Sequence, residues 1–270
     1  MMEKAVIMAR GLGTRMRRSD DAARVDPSQA AIADTGVKAM IPIGRPFLDY
    51  ILSSLADAGY REVCLVIGPE HQVVREYYTV KAPPRRTRVH FAVQEKPLGT
   101  ADAVLAAESF AAGEDFLVIN SDNLYPVSSL SALRRISGQG TVLFEREALF
   151  RKSNIPPERI RSFAVCVVGA DGYLQSIFEK PDEAAVRDAD ATALVSMNCW
   201  RFSSEIFPAC RDVPLSVRGE LELPRAVELA IASGQARFRV ITSDESVLDL
   251  STRGDISNVS DRLRGLAVEP

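Results

Sequence analysis

The feature that most constrains this chain is an apolar run that stops in glycine. Ala5-Val6-Ile7-Met8-Ala9 leads straight into Gly11-Leu12-Gly13-Thr14-Arg15-Met16. Bounded by Lys4 on one side and glycine on the other, the run is short and reads as a buried strand rather than a helix. The two glycines let the backbone turn sharply and bring N–H groups close to a ligand. Successive N–H groups curled in this way form an anion-binding concavity. Arg10, Arg15, Arg17 and Arg18 add positive charge around the same loop. Together these residues predict a loop that holds the phosphates of a nucleotide. Taken alone, the stretch fits a plain glycine turn with solvated arginines equally well. Met16 stands where a dinucleotide fingerprint needs a third glycine, and no Gly-Lys-Ser/Thr follows to make a P-loop.

The rest of the first half alternates strands and helices. Residues 62–67, 88–93 and 116–120 read as strands, and residues 46–58 (closed by Gly59), 70–79 and 99–111 as helices. Strands interleaved with helices in this way argue for an α/β fold, a Rossmann-like, doubly wound, mainly parallel (mixed) sheet. In such sheets ligands sit beyond the carboxyl ends of the strands, where the glycine loop, Gln94 and Asp122 all fall. Residues 17–37 are polar and alanine-rich and read as an excursion with a short helix that starts at Pro27. After residue 140 the pattern turns β-rich. Strands are expected at 141–146, 162–168, 173–179, 194–202, 238–241 and 247–250, with a hairpin turn at Asp171-Gly172. Helices are expected at 204–211, 220–233 and 254–264. This half forms a smaller, substrate-facing lobe. No low-complexity linker or repeat divides the chain, so residues 1–270 are expected to form one unit.

Composition removes several functions. A net charge of −3 offers no global basic field for nucleic acid. The four cysteines lack Cys-x-x-Cys spacing and there are two histidines, so metal-cluster and disulfide-framework readings are both poor. Buried free thiols in a reducing compartment fit better. No signal-peptide core precedes the first strand and no apolar run approaches membrane-span length. A soluble cytoplasmic protein is the expectation.

Four motifs in order carry a resemblance: Gly11-Leu12-Gly13-Thr14-Arg15-Met16, Lys38-Ala39-Met40-Ile41-Pro42-Ile43, Ser121-Asp122-Asn123 and Glu179-Lys180-Pro181. From about residue 4 to 255 the chain resembles the sugar-1-phosphate nucleotidylyltransferases, or NDP-sugar pyrophosphorylases. These include glucose-1-phosphate thymidylyl- and uridylyltransferases and variants for unusual sugar or cyclitol phosphates. The resemblance implies that an NTP and a sugar (or cyclitol) 1-phosphate give an NDP-sugar and pyrophosphate with Mg²⁺, in a homo-oligomer. About 1–140 would then be the nucleotide-binding half and about 141–270 the sugar-phosphate-binding half.

It also implies roles for residues. Ala9, Gly11, Leu12, Gly13 and Thr14 would cradle the triphosphate through backbone groups. Arg15 would offer a rigid fork to its outer phosphates, and Lys38 would meet phosphate near the reacting centre. Gln94, whose amide carries both a donor and an acceptor, would read the nucleobase with Gly99 and Thr100. Asn123, Ala164, Glu179, Lys180, Asn198 and Glu222 would form the sugar-phosphate site. Asp122 and Asp249 would hold Mg²⁺, which takes one or two carboxylates and leaves its other positions to phosphate and water. Arg15, Lys38, Asp122 and Lys180 are the implied catalytic group.

The sequence departs from the family pattern in places. Arg10, Ala164, Arg225 and Ser251 replace residues common there, and residues 16–37 make a longer link between Arg15 and Lys38. That link is expected to be mobile and to close over bound nucleotide. A second reading is a catalytically silent homologue that binds nucleotide or sugar phosphate as a regulatory subunit. A third, an NAD-dependent oxidoreductase, rests on the glycine loop alone and lacks the ribose-binding carboxylate after Ile67-Gly68.

Overall fold

The structure, a computed structural model, describes residues 2–20, 22–178 and 193–270. The apolar run forms β1 (Lys4–Met8), buried throughout after Lys4. Pro42–Ile43 (β2) and Arg45–Pro46 (β3) make a small hairpin before the helix Phe47–Ala58, which Gly59 ends in a left-handed conformation. β4 (Glu62–Ile67), β5 (Arg88–Val93) and β6 (Phe116–Asn120) follow within the bounds read from the sequence. β1 pairs in parallel with β4 on one side and β6 on the other, and β4 pairs in parallel with β5.

After a two-residue β7 (Asn123–Leu124), the second half adds β8 (Gly140–Glu145), β9 (Val165–Val168), β10 (Leu174–Phe178), β11 (Leu194–Phe202), β12 (Arg239–Ser243) and β13 (Leu248–Asp249). Among the described residues the main sheet has nine strands, with the path β10-β9-β11-β6-β1-β4-β5, β8 against β11 and β12 against β8. β11 runs antiparallel to β6, β8 and β9, so the sheet is mixed. It joins both halves of the chain. A mixed, mostly parallel α/β sheet is therefore what forms.

Alternation along buried strands sends successive side chains to opposite faces. Ala5, Ile7, Leu65 and Ile119 join a core under the helices Phe47–Ala58, Val127–Arg135 and Arg253–Leu263. Val6, Met8, Val66 and Val118 join a second core under Thr100–Ala106, Ile206–Asp212 and Leu223–Ala232. All four cysteines are free and buried. Burial pushes the Cys64, Cys166 and Cys210 thiols up to about 12, so they behave as small apolar side chains.

Several expected elements differ. The helix over 99–111 is two pieces, Thr100–Ala106 and Glu108–Ala111, because the chain tightens at Ala107, whose N–H bonds to the Val104 carbonyl. The helix near 70–79 is an α-helix, Gln72–Glu76, continued by a wide π turn, Tyr77–Lys81, and the buried Tyr78 hydroxyl donates to Asp49 at 2.8 Å. The strand expected from 162 begins at Val165, because a helix, Pro157–Arg161, occupies the approach. Helices Val127–Arg135 and Arg146–Lys152 were not foreseen. The helix expected from 220 starts at Leu223, since Leu221 exchanges backbone hydrogen bonds with Leu98 and Ala101.

Candidate active site

Because β1, β4, β5 and β6 are parallel, their carboxyl ends share one edge of the sheet. The chain moves from β1 to β4 and β5 in one direction, then returns to place β6 on the other side of β1. That reversal makes a crevice between the loops after β1 and β6. A cavity of about 370 Å³ opens there. Its walls include Ala9, Gly11, Leu12, Gly13, Thr14, Arg15, Lys38, Gln94, Gly99, Thr100 and Asp122. Eleven residues singled out in the sequence thus meet in one place, and the volume falls within the few hundred Å³ usual for small-ligand sites.

The glycine loop is shaped by a close approach. Gly13 has φ +61°, and a Cβ there would sit 2.2 Å from the Gly36 carbonyl oxygen. Gly36 packs in return against the Leu12 carbonyl and the Arg17 side chain. Two glycines therefore hold the loop after β1 against the end of the excursion. A Cβ on Gly11 would meet nothing within 4 Å, so the loop is open beside it. Arg15 is exposed and lines the cavity. Arg17 turns away and donates to the Thr35 carbonyl. Arg10, expected to charge the loop, is buried instead. Its Nε donates to the Gln94 carbonyl at 3.0 Å and its Nη1 lies 2.8 Å from Glu70.

The excursion carries a helix, Pro27–Thr35, with Asp26 as a capping-box residue. Arg253 ties it down by reaching Asp34 and, at 3.0 Å, the Met16 carbonyl. Lys38 follows and places Nζ 2.8 Å from Asp122 Oδ2. Burial pushes the Asp122 carboxyl up, but Lys38 and Arg15 outweigh it and hold the group below its usual value.

Asp249 lies behind this pair. β13 pairs with β7, setting Asp249 opposite Asn123, and Leu250 N–H donates to the Asp122 carbonyl at 2.8 Å. Asp249 Oδ2 accepts from Asn123 Nδ2 at 3.0 Å, while Oδ1 is held by Arg159, which also reaches Asp255 at 3.3 Å. Burial and the neighbouring Asp122 charge push Asp249 up to about 6, against the opposing pull of Arg159. Two hard-oxygen carboxylates that repel one another suit Mg²⁺ in donor type and charge. Arg159 supplies the compensating charge that an ion would also supply.

Among the described residues, the sugar-phosphate candidates Asn123, Ala164, Asn198 and Glu222 lie outside the cavity lining. Asn123 is buried and accepts from Asn120 at 3.0 Å. The Tyr125 hydroxyl donates to the Met197 carbonyl at 2.6 Å, linking this corner to Asn198, which has φ +55° at an irregular register of β11. The Ala164 carbonyl accepts from Ser196 N–H. Glu222 is buried at the N-cap of Leu223–Ala232, 3.5 Å from Arg218, and Glu220 lines the cavity just before it. Glu179 and Lys180 lie outside the described residues. Sequence reasoning missed Asp102 and Arg159. Asp102 sits in the first turn of a helix, where an acidic residue is ordinary, and Arg159 in a short helix between motifs, so no local pattern marks them.

The family profile described as nucleotidyl transferase matches residues 4–263. The chain belongs to the nucleotidyl transferase family. This transferase is 26% identical over 262 residues to a UTP–glucose-1-phosphate uridylyltransferase of Haloferax volcanii, covering 97% of this chain and 96% of that one. It is 28% identical over 235 residues to a glucose-1-phosphate thymidylyltransferase of Streptomyces griseus, with 86% and 58% covered. It is also 28% identical over 232 residues to the bifunctional protein GlmU of Methanococcus vannielii, of which it spans 48%. Its fold is that of a UDP-glucose pyrophosphorylase solved with UDP-glucose, at TM-score 0.72, 18% identity and 98% and 100% coverage. A UTP-bound UGPase from Acinetobacter baumannii gives TM-score 0.74 at 18% identity, with 100% and 96% covered. Among the described residues no helix of the transferase is long and apolar enough to cross a membrane.

Proposed function

We propose that this transferase joins an NTP to a sugar 1-phosphate, giving an NDP-sugar and pyrophosphate. The observation that carries the reading is the meeting of the glycine loop, Arg15, Lys38, Asp122 and the Gln94–Thr100 segment around one cavity. Its full-length similarity to a uridylyltransferase that acts on glucose 1-phosphate supports the same class of substrate. UTP with glucose 1-phosphate is the first pair to test.

Both substrates are anions, so the site must offset their repulsion and hold an oxygen of the sugar phosphate in line with the α-phosphorus. Such catalysis is mostly positioning and electrostatics. The backbone of residues 11–14 cradles the triphosphate, and the open side of Gly11 admits it closely. Arg15 pairs with the outer phosphates as charge builds on the leaving pyrophosphate. Lys38, already beside Asp122, neutralises charge near the α-phosphate. Gln94, Gly99 and Thr100 take the base. The sugar 1-phosphate enters from the side of Asn123, Ala164, Asn198 and Glu222, and Glu179 and Lys180, outside the described residues, are its proposed partners by resemblance. Asp122 and Asp249 would hold Mg²⁺, which supplies charge neutralisation on phosphate oxygens when bound.

The test is pyrophosphate release from a matrix of NTPs against sugar and cyclitol 1-phosphates. Release from at least one pair, dependent on both partners, is expected. Measurable NTP binding without release from any pair would overturn the reading in favour of a silent homologue.

A further inference from the structure

Gln94 was expected to offer a base both a donor and an acceptor; its surroundings leave it only one. The side chain is buried, and its Nε2 lies 3.0 Å from the Gly99 carbonyl oxygen and 2.7 Å from Asp102 Oδ2. A carbonyl and a carboxylate oxygen can only accept. The group facing them is therefore the NH₂, and both of its hydrogens are taken. The amide orientation follows from the chemistry of its partners. The main chain is fixed as well, since Gln94 N–H donates to the Ile67 carbonyl at 2.9 Å and its carbonyl accepts from Arg10.

We propose that Asp102 is a positioning residue that locks the Gln94 amide with Oε1 toward the nucleotide cavity. This makes the site selective for nucleobases with a ring N–H beside a carbonyl. The proposal rests on the nucleotide-site reading above. Oε1 makes no hydrogen bond among the described residues, and Gln94 lines the cavity. The N–H groups of Gly99 and Thr100, on the same wall, make none among the described residues either. An acceptor with donors beside it complements the H–N–C=O edge of uracil, thymine or guanine. Cytosine has a lone pair on the corresponding ring nitrogen, which would face Oε1 acceptor to acceptor. Gly99 lets the wall approach closely: its φ is +125°, and a Cβ would lie 2.4 Å from the Leu221 carbonyl oxygen.

Calorimetric titration of the whole protein with Mg²⁺-UTP and Mg²⁺-CTP, without sugar phosphate, tests the lock. The wild type should bind UTP about 10- to 100-fold more tightly than CTP, the scale on which a site rejects a base whose polar edge is mismatched. Asp102→Asn can donate to Gln94 and release its amide, so it should narrow that ratio about tenfold, chiefly by tightening CTP. Asp102→Glu keeps the acceptor and should retain the preference for UTP. Equal affinities in the wild type, or equal weakening of both nucleotides in Asp102→Asn, would overturn the lock and leave the nucleotide site standing. Binding of no NTP by the folded wild type would overturn the nucleotide site itself.

Discussion

Raising the pH through the range where Asp249 titrates should weaken this fold by a readable amount. Burial and the Asp122 charge push the Asp249 carboxyl up to about 6, against the pull of Arg159. In the unfolded chain an aspartate titrates near 3.9. Between these values the folded chain binds more protons at Asp249 than the unfolded chain does, so stability falls as pH rises. The contribution is fully present below about pH 4 and is lost as pH climbs through about 6. At 1.36 kcal/mol per unit, a shift of about two units amounts to about 3 kcal/mol. Asp49 and Glu228, also raised by burial, move stability in the same direction, so the wild-type curve alone does not isolate Asp249. The difference between wild type and Asp249→Asn does. Urea unfolding of both proteins from about pH 4 to about pH 7 should show that difference changing by about 2–3 kcal/mol, mostly between about pH 4 and 6 and levelling off above. A difference that stays flat would refute the picture of two repelling carboxylates.

Other outcomes follow from the same geometry. Lys38→Met removes the ammonium 2.8 Å from Asp122, at side-chain exposures of 15% and 20%. It should cost about 3 kcal/mol in urea unfolding, the lower end for breaking a buried pair, and the double variant with Asp122→Asn should recover much of that; no recovery would mean that the pair is not coupled. Gly99→Ala forces a side chain into φ +125° and onto the Leu221 carbonyl, so it should cost about 3 kcal/mol or more. An unfolding midpoint shift worth under about 1 kcal/mol would show that this backbone approach is not needed. Arg18 and Arg24 are exposed on an excursion whose ends are pinned at Gly36 and Arg253. Trypsin should cut there readily in the free protein and several-fold more slowly with saturating Mg²⁺-NTP, and equal rates with every nucleotide that binds would rule out closure.

The parallel half of the fold was legible because its strands are short, apolar and punctuated by Gly59, Gly68 and Gly99. Most of the cavity lining was legible for the same reason: the site sits where those strands end, so the glycine loop, Gln94 and Asp122 each follow a strand that periodicity marks, while Lys38 is reached through the excursion helix. The helix Val127–Arg135 escaped because only Ser129, Leu130 and Leu133 of its nine residues are buried, too thin a stripe to read. Glu222 was expected inside a helix from 220 as a sugar contact, but the start of that helix depends on backbone bonds from Leu221 to Leu98 and Ala101, more than a hundred residues away. Arg10 looked like phosphate charge because sequence shows its position in a loop and not the Glu70 and Gln94 partners that turn it inward. Arg159 acts on Asp249 from a distant part of the chain, and Asp102 on Gln94 across the loop that joins strand to helix, and no spacing encodes such pairs.

The central claim is that a sugar-phosphate oxygen attacks the α-phosphorus of an NTP held by the glycine loop, Arg15 and Lys38. Sugar 1-phosphate labelled with heavy oxygen at its non-bridging positions tests this most directly. Mass spectrometry of the products should find all of the label in the NDP-sugar and none in pyrophosphate, with the two products formed in equal amounts. Label in pyrophosphate, or pyrophosphate released without any NDP-sugar, would contradict it.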